Sequence, residues 1–583
     1  MISVYLLLDS LLLSVVAREC SGLFEKVGGK NEQMKWQALR GVRRLVKVDV
    51  NLTYCAQIYY ICILKRQRLM AKKYPIGIQD FEELRTSGCY YVDKTALVYD
   101  LVTKGKYYFL SRPRRFGKSM LTSTLKAYFL GKRALFDGLS IATLEKDWTE
   151  HPVIHIDFTG NQFPTMDNLL ERLDEIYKSL EAKYGTTGIK DPGLRLGKII
   201  QLAYEKTGKQ VVVLVDEYDK PLIDNVMNPG QRERMRDLLS GVYGNLKAMD
   251  ACLRFGFLTG VSRFSHLSIF SAVNNLNDIS FDEKYAGLCG ITEEEMDSQF
   301  EEDIQEMANN NNLSISATRQ QLRGWYDGYR FSPFSELGVY NPFSLLNAFN
   351  SGRFMSKWAE SGTPTFLTRL VKHGFDLTDV DGMEADMDML TNSDPDYQAP
   401  AALMFQTGYV TIKAYDDSYG IITLGFPNKE VKDAFLKYIV PIYQTHREGS
   451  VVVMKLKRDI DEGDVEAFMT RLTAFFSSIS YETIKRDYER HYQNLLYTVF
   501  YFAGCDVQNE FHTSSGRIDC VVKTKTTIYV FEYKLDGTAE EALSQINEKG
   551  YAQPFLSDGR SVVKIGVAFG KDSHTIDSWI KES

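Results

Sequence analysis

Asp519, Glu532 and Lys534 sit in two apolar segments, Arg517–Val522 and Ile528–Lys534, which read as the strands of one hairpin. With the turn centred on Lys525-Thr526, Asp519 falls directly opposite Glu532 and their Cβ atoms are about 5 Å apart on one sheet face. Lys534, two residues on, shares that face. Facing carboxylates repel unless something positive lies between them. A divalent cation with a lysine beside it answers that need, and that set can hydrolyse a phosphodiester. The E-x-K spacing alone is weak, since Glu181-Ala-Lys183, Asp282-Glu-Lys284 and Glu430-Val-Lys432 share it or its aspartate form. The facing aspartate and the buried-looking flanks set this copy apart.

Two helical segments bracket the hairpin. Asp487–Phe502 precedes it and brings a third acid, Glu489; Glu540–Gly550 follows and carries Gln545 and Lys549. Glu489, Gly516-Arg-Ile-Asp519, Phe531-Glu-Tyr-Lys534, Gln545 and Gly550-Tyr551 together resemble the PD-(D/E)XK nuclease superfamily. The resemblance implies that Asp519 and Glu532 bind Mg²⁺ and that Lys534 positions or activates the attacking water. Glu489 and Gln545 complete the implied catalytic group.

A second constellation lies far upstream. The strand Tyr107–Leu110 runs into Ser111-Arg-Pro-Arg-Arg-Phe-Gly117-Lys118-Ser119 and then a helical run, Met120–Leu130. Strand, loop and helix with G-K-S at the helix start form a phosphate-binding geometry. There Lys118 reaches the β/γ-phosphates and Ser119 holds Mg²⁺. The first glycine of the usual loop falls at Arg112, so phosphate affinity is a firmer reading than turnover. Gln210–Val215 is a continuous apolar run ending in Asp216-Glu217, the pattern of a buried parallel strand. Its end places Asp216 at the cation and Glu217 where it can orient or deprotonate water. A third strand, Leu253–Thr259, delivers Thr259 or Ser262 toward the γ-phosphate, with Arg263 reading its charge.

From Tyr74–Phe81 through Tyr91–Thr95, Arg112–Ser119, Asp216–Asp219 and Ala286–Gly290, the chain resembles the AAA-ATPase-like proteins, prokaryotic proteins that carry a nuclease domain at the C-terminus. Their R-P-R-R-F-G-K-S loop is a family feature, which accounts for Arg112 and implies that Arg114, Arg115, Phe116 and Gly117 join Lys118 and Ser119 at the nucleotide. The resemblance implies ATP and Mg²⁺ as cofactors and nucleic acid, DNA in the first instance, as partner. The other reading is a nucleotide-controlled signalling or assembly switch whose C-terminal fold binds without cutting.

The expected fold is α/β: a parallel P-loop sheet with a helical lid, a small winged-helix-like module and an α/β nuclease fold. The expected divisions are 70–290 for the ATPase, 291–400 for a helical lid and linker, 401–480 for the winged-helix-like or spacer module, and 481–583 for the nuclease. Within them, Ile291–Gly324 reads as helical with a loop at Asn309–Asn312. The aromatic Trp325–Phe331 and Tyr340–Phe343 read as packing of the lid, and Leu403–Leu424 as a helix end plus hairpin before the helix Lys429–Val440.

Eight scattered cysteines without a C-x-x-C pair fit reduced thiols and a cytoplasmic protein. A net charge of −7 excludes a generally basic nucleic-acid binder. Residues 1–69 carry eleven Lys/Arg against five Asp/Glu, a net of +6 that leaves −13 for the remainder. Met1–Ala17 is apolar but holds Asp9, lacks a basic start and is short for a span, so no stable membrane association is expected. Met70 immediately precedes the opening motif and reads as the translation start, which makes 1–69 an over-extended gene start. Arg263 could serve its own site or a neighbour's, which leaves a homo-oligomer open.

Overall fold

The structure, a computed structural model, describes residues 73–225, 228–263, 276–358, 380–391, 400–435, 449–477, 496–497, 499–500, 505–513, 515–570, 573 and 575–583. All belong to the unit Lys73–Ser583. The extension 1–69, Glu489 and most of Asp487–Phe502 lie outside the described residues.

The first sheet grows from short apolar runs separated by capped helices. After α1 (Phe81–Thr86) and α2 (Thr95–Lys104) comes β1 (Tyr107–Ser111), then α3 (Lys118–Phe129) and β2 (Val153–Asp157). Next are α4 (Met166–Tyr184), α5 (Pro192–Thr207), β3 (Val211–Asp216), α6 (Pro229–Ala248), β4 (Leu253–Gly260) and the short β5 (Asn277–Asp278). Local signals set these bounds. In α5, Asp191 caps the start, Pro192 takes the first turn, and Gly208 at φ 65° ends the helix. Its buried Leu196, Ile199, Ile200 and Ala203 recur at helical spacing.

The strands run parallel in the order β2-β3-β4-β1-β5. Strand alternation divides the core into two layers. Tyr107, Phe109, Val211, Val213 and Val215 face α4, α5 and α6, while Tyr108, Leu110, Val212 and Leu214 face α2 and α3. Covering both faces explains why β3 is apolar without a break.

A helical region follows: β6 (Ile291–Thr292), α7 (Glu293–Gln299), α8 (Glu301–Asn311), α9 (Ile315–Tyr326), β7 (Val339–Tyr340) and α10 (Pro342–Ser351). The loop expected at Asn309–Asn312 begins later. Asn309–Asn311 stay helical and Asn312, at φ 54°, ends α8 in the left-handed conformation asparagine tolerates. The N-terminal segment is fastened here: the hydroxyls of Tyr74 and Tyr90 both donate to Asp303, and Lys94 pairs with Glu295 at 2.5 Å.

Next, β8 (Met383–Ala385), α11 (Pro400–Thr407), β9 (Thr411–Asp416) and β10 (Ile421–Gly425) form a helix and a three-stranded antiparallel sheet, order β8-β10-β9. Residues 429–435 are helical after it. This module packs on the first sheet's loop. Phe405 stacks on Phe281 at 5.7 Å. Gly408, at φ 84°, lies so close to Pro113 that a Cβ there would approach the Pro113 ring at 2.9 Å.

The last part begins with α12 (Gly449–Asp461) and α13 (Val465–Ser477), then β11 (Asp506–Thr513), β12 (Gly516–Lys523), β13 (Thr527–Leu535), α14 (Ala539–Glu548), β14 (Ser561–Phe569) and β15 (Ile576–Glu582). The strands lie in chain order; β13–β14 is the parallel pair, joined through α14, and its neighbours are antiparallel. α13 covers one face, with Phe468 against Phe531 at 6.5 Å and Phe476 against Phe569 at 5.4 Å. α14 covers the other, burying Ile546 with Ile518, Val521, Ile528 and Val530. One contiguous buried cluster extends from Leu110 and Phe116 through Phe405, Tyr409 and Leu424 to Phe468, Phe531 and Val567. No helix among the described residues is long and apolar enough to cross a membrane.

Candidate functional sites at two strand ends

The C-terminal hairpin has the register that its turn dictates. Cys520 pairs with Phe531 and Lys523 with Ile528, and the turn closes by Thr524 N donating to Thr527 O at 2.8 Å. Continuing the pairing puts Asp519 opposite Glu532. There side chains replace the ladder: Tyr533 N donates to Asp519 Oδ2 at 2.8 Å, and the Asp519 amide bonds the Glu532 carboxyl. Asp519 is 9 % exposed and Glu532 2 %.

Gln545 joins the acids to the lysine. Its Nε2 donates to Glu532 Oε1, and its Oε1 accepts from Lys534 Nζ at 2.6 Å. Lys534 Nζ is thereby held 3.9 Å from Glu532. Glu532 Oε2 is buried with no hydrogen-bond partner among the described residues. Burial first, and the Asp519 charge second, push the Glu532 carboxyl up to about 8. An orphaned buried oxygen beside a second carboxylate is the donor set of a hard cation, so these residues fit Mg²⁺.

Gly566 makes this contact set attainable, a point missed in the sequence. It pairs with Glu532 across β13–β14, and a Cβ there would lie 2.3 Å from Ala539 O and 2.7 Å from Leu543 N. Only hydrogen at that position lets α14 come down onto the sheet with Gln545. A small residue in an apolar strand was the available signal.

At the first sheet, α3 begins at Lys118, earlier than expected, because Gly117 at φ 93° turns the loop into the helix. Lys118 is buried, and its Nζ donates to Pro113 O at 3.1 Å within the loop. The Ser119 side chain bonds Asp216; burial raises that carboxyl to about 6 against the pull of Ser119 and Lys118. Glu217 N donates to Asp216 Oδ1 at 3.0 Å, and burial raises the Glu217 carboxyl as well. Ser119 and Asp216 supply hard oxygens suited to a Mg²⁺ that keeps waters and phosphate oxygens as its other ligands. Among the described residues no three or more His, Cys, Asp or Glu gather into a metal centre.

Other expected residues are placed differently. Arg114 is exposed. Arg115 is half-buried away from the loop, 3.8 Å from the Phe343 ring and donating to Lys357 O at 3.1 Å. Phe116 is buried edge-on against Tyr329 and Phe331. Thr259 and Ser262, expected to point toward a γ-phosphate, face inward. Thr259 Oγ1 donates to Leu110 O at 2.8 Å, and Ser262 Oγ to Asp219 Oδ2 at 2.5 Å. Arg263, expected to read that phosphate, pairs with Asp278. Strand-end polarity marks the right edge of the sheet but not the direction of each side chain.

Asp157 was missed. It ends β2, pairs with Asp216 in register, and its charge helps raise the Asp216 carboxyl. Thr159 N fixes its Oδ1 at 2.7 Å. The signal lay in Val153-Ile-His-Ile-Asp157, a half-buried alternating strand ending in an acid.

Backbone strain also marks both places. Arg115 (φ 70°) and Glu217 (φ 50°) flank the first site, and Glu510 (φ 51°) stands across β11–β12 from Asp519. Non-glycine residues held there cost about 1–3 kcal/mol each and concentrate at functional positions.

Residues 75–270 match the family described as "Predicted AAA-ATPase", and residues 487–579 match the PD-(D/E)XK nuclease superfamily. A relative from Azotobacter chroococcum mcd 1, titled "Uncharacterized protein in vnfD 5'region", is 36 % identical over 530 residues, 88 % of this chain and 99 % of its own. The chain belongs to the AAA-ATPase-like family. Both family matches coincide with a candidate site: the AAA-ATPase-like part holds Lys118 and Asp216, and the PD-(D/E)XK part holds Asp519, Glu532 and Lys534.

Proposed function

We propose that this AAA-ATPase-like protein is a cytoplasmic, Mg²⁺-dependent nuclease that cleaves DNA when ATP is bound or hydrolysed. The observation that carries the reading is the buried Glu532 carboxyl facing the Asp519 charge and bridged by Gln545 to Lys534, with one oxygen unpartnered among the described residues. Burying an unsatisfied carboxyl beside a second acid destabilises a fold. A hairpin with a purely structural task gains nothing from it.

In this reading Asp519 and Glu532 hold the cation, which when bound lowers the pKa of a water and offsets charge on phosphate oxygens. Gln545 fixes the geometry by donating to Glu532 and accepting from Lys534. Lys534 Nζ then presents its charge to a phosphate oxygen and orients the attacking water. At the other site Lys118 exchanges the Pro113 carbonyl for nucleotide phosphate, Ser119 and Asp216 face the nucleotide's cation, and Glu217 Oε accepts the proton of the hydrolytic water. The family membership and the fit of both donor sets support this assignment.

The test uses the full chain with plasmid and linear DNA, Mg²⁺, and ATP present or absent, beside Glu532→Gln and Lys118→Ala. Cleavage lost in Glu532→Gln, with ATP binding intact, supports the nuclease. Cleavage lost in Lys118→Ala supports coupling. ATP hydrolysis without cleavage of DNA or RNA under any of these conditions rejects the nuclease in favour of a nucleotide-controlled switch.

A further inference from the structure

Behind the loop 112–117 two guanidinium groups share one small cavity. Arg112 is 1 % exposed; it donates to the carbonyls of Ser111 and Ser280 at 2.8 Å each and of Tyr285 at 3.3 Å, with its guanidinium 4.3 Å from the Phe331 ring. Arg263 is 7 % exposed, paired with Asp278 and 4.8 Å from the Phe281 ring. Three of their nitrogens have no acceptor among the described residues: Nε of Arg112, and Nε and Nη1 of Arg263. Both arginines line the cavity with Phe281, Phe331, Phe405 and Gln406.

Among the described residues, the two buried cations face one carboxylate, Asp278, which pairs with Arg263 and also accepts from Ser280 N at 2.8 Å. Burial and the Arg263 charge both act against the charged form of Arg112. A water molecule can accept from the free N–H groups but brings no charge. The space is small, with room for about one water-sized body, which suits a monatomic anion better than a tetrahedral oxyanion.

We propose that this cavity is a monatomic-anion site that binds a halide between Arg112 and Arg263. Ser111 and Pro113 form part of its wall, so an occupant braces the start of the loop against α11. The inference is independent of the proposed activity and holds whether or not the protein cuts DNA.

The nucleotide-free full chain is melted in sodium chloride and in sodium gluconate at one ionic strength, and crystals are soaked in bromide. The expected result is a saturable rise in Tm with chloride only, lost in Arg263→Gln, and an anomalous bromide peak between the two guanidiniums. The peak is read on the wild-type chain, so a folding defect in the variant does not remove the test. Equal melting in both salts with no bromide peak overturns the site, leaving a water there. Sulfate binding in place of halide overturns it as well.

Discussion

Glu532 leads to a proton count. Its carboxyl is raised from an ordinary 4.5 to about 8, so without a cation it is mostly neutral at pH 7. In the folded, cation-free protein the raised pKa stabilises the fold below pH 4.5, and that contribution is lost as pH rises through 8. At about 1.4 kcal/mol per pH unit the full shift, from 4.5 to about 8, is worth at most about 5 kcal/mol. Mg²⁺ binds the carboxylate form, so loading the site must expel the proton. From a pKa of about 8, the release is about 0.9 proton per site at pH 7, half at pH 8 and about 0.1 at pH 9. Asp216, near 6, adds only about 0.1 at pH 7 by the same relation. The assay is Mg²⁺ titration calorimetry of the nucleotide-free chain in two buffers with different ionisation heats. Wild type should differ from Glu532→Gln by close to one proton at pH 7, and the difference should vanish by pH 9. No buffer dependence at pH 7 would mean that Glu532 is already ionised, and the account of this site by burial would fail.

Other perturbations probe separate links. Gly566→Ala forces α14 away from β14 and should cost about 1–3 kcal/mol of stability, as overpacking does; metal-dependent cleavage should fall while ATP binding persists, both measured on one preparation. Asp157→Asn removes the charge paired with Asp216 and should weaken Mg²⁺-dependent nucleotide binding, read by titrating a fluorescent ADP with and without Mg²⁺; equal Mg²⁺ dependence would confine Asp157 to a structural role. The raised Asp216 carboxyl predicts an ATPase rate that climbs between pH 5 and 7 with a midpoint near 6, and a limb near the ordinary carboxylate value would contradict it.

The sequence was most legible where local chemistry sets geometry. The turn at Lys525-Thr526 fixed the hairpin register, and with it the meeting of Asp519 and Glu532. Gly117 and the apolar run of β3 located the first site. The look-alike motifs lack the facing acid: Glu181 pairs with Arg195, and Asp282 caps a short turn through Lys284 N. Glu430 accepts from the Lys357 and Trp358 amides through Oε1, and although its Oε2 is buried and unpartnered among the described residues, the charge beside it is Arg115 and not a second carboxylate. What the sequence concealed depends on contacts between distant segments. The inward turn of Thr259 requires Leu110 beside it, and that of Ser262 requires Asp219. Gln545 reaches Glu532 only because Gly566 is bare, and Asp157 matters only once β2 lies next to β3.

The buried cluster shared by the loop side of the first sheet and the C-terminal hairpin has a calorimetric consequence. Leu110 and Phe531 belong to one contiguous apolar interior, so the two halves should melt in a single transition rather than as separate beads on a string. A ligand that binds only at the loop must then raise the melting temperature of the hairpin as well. By thermodynamic reciprocity, a nucleic acid held at the hairpin would alter nucleotide affinity by the same factor that the nucleotide alters its own.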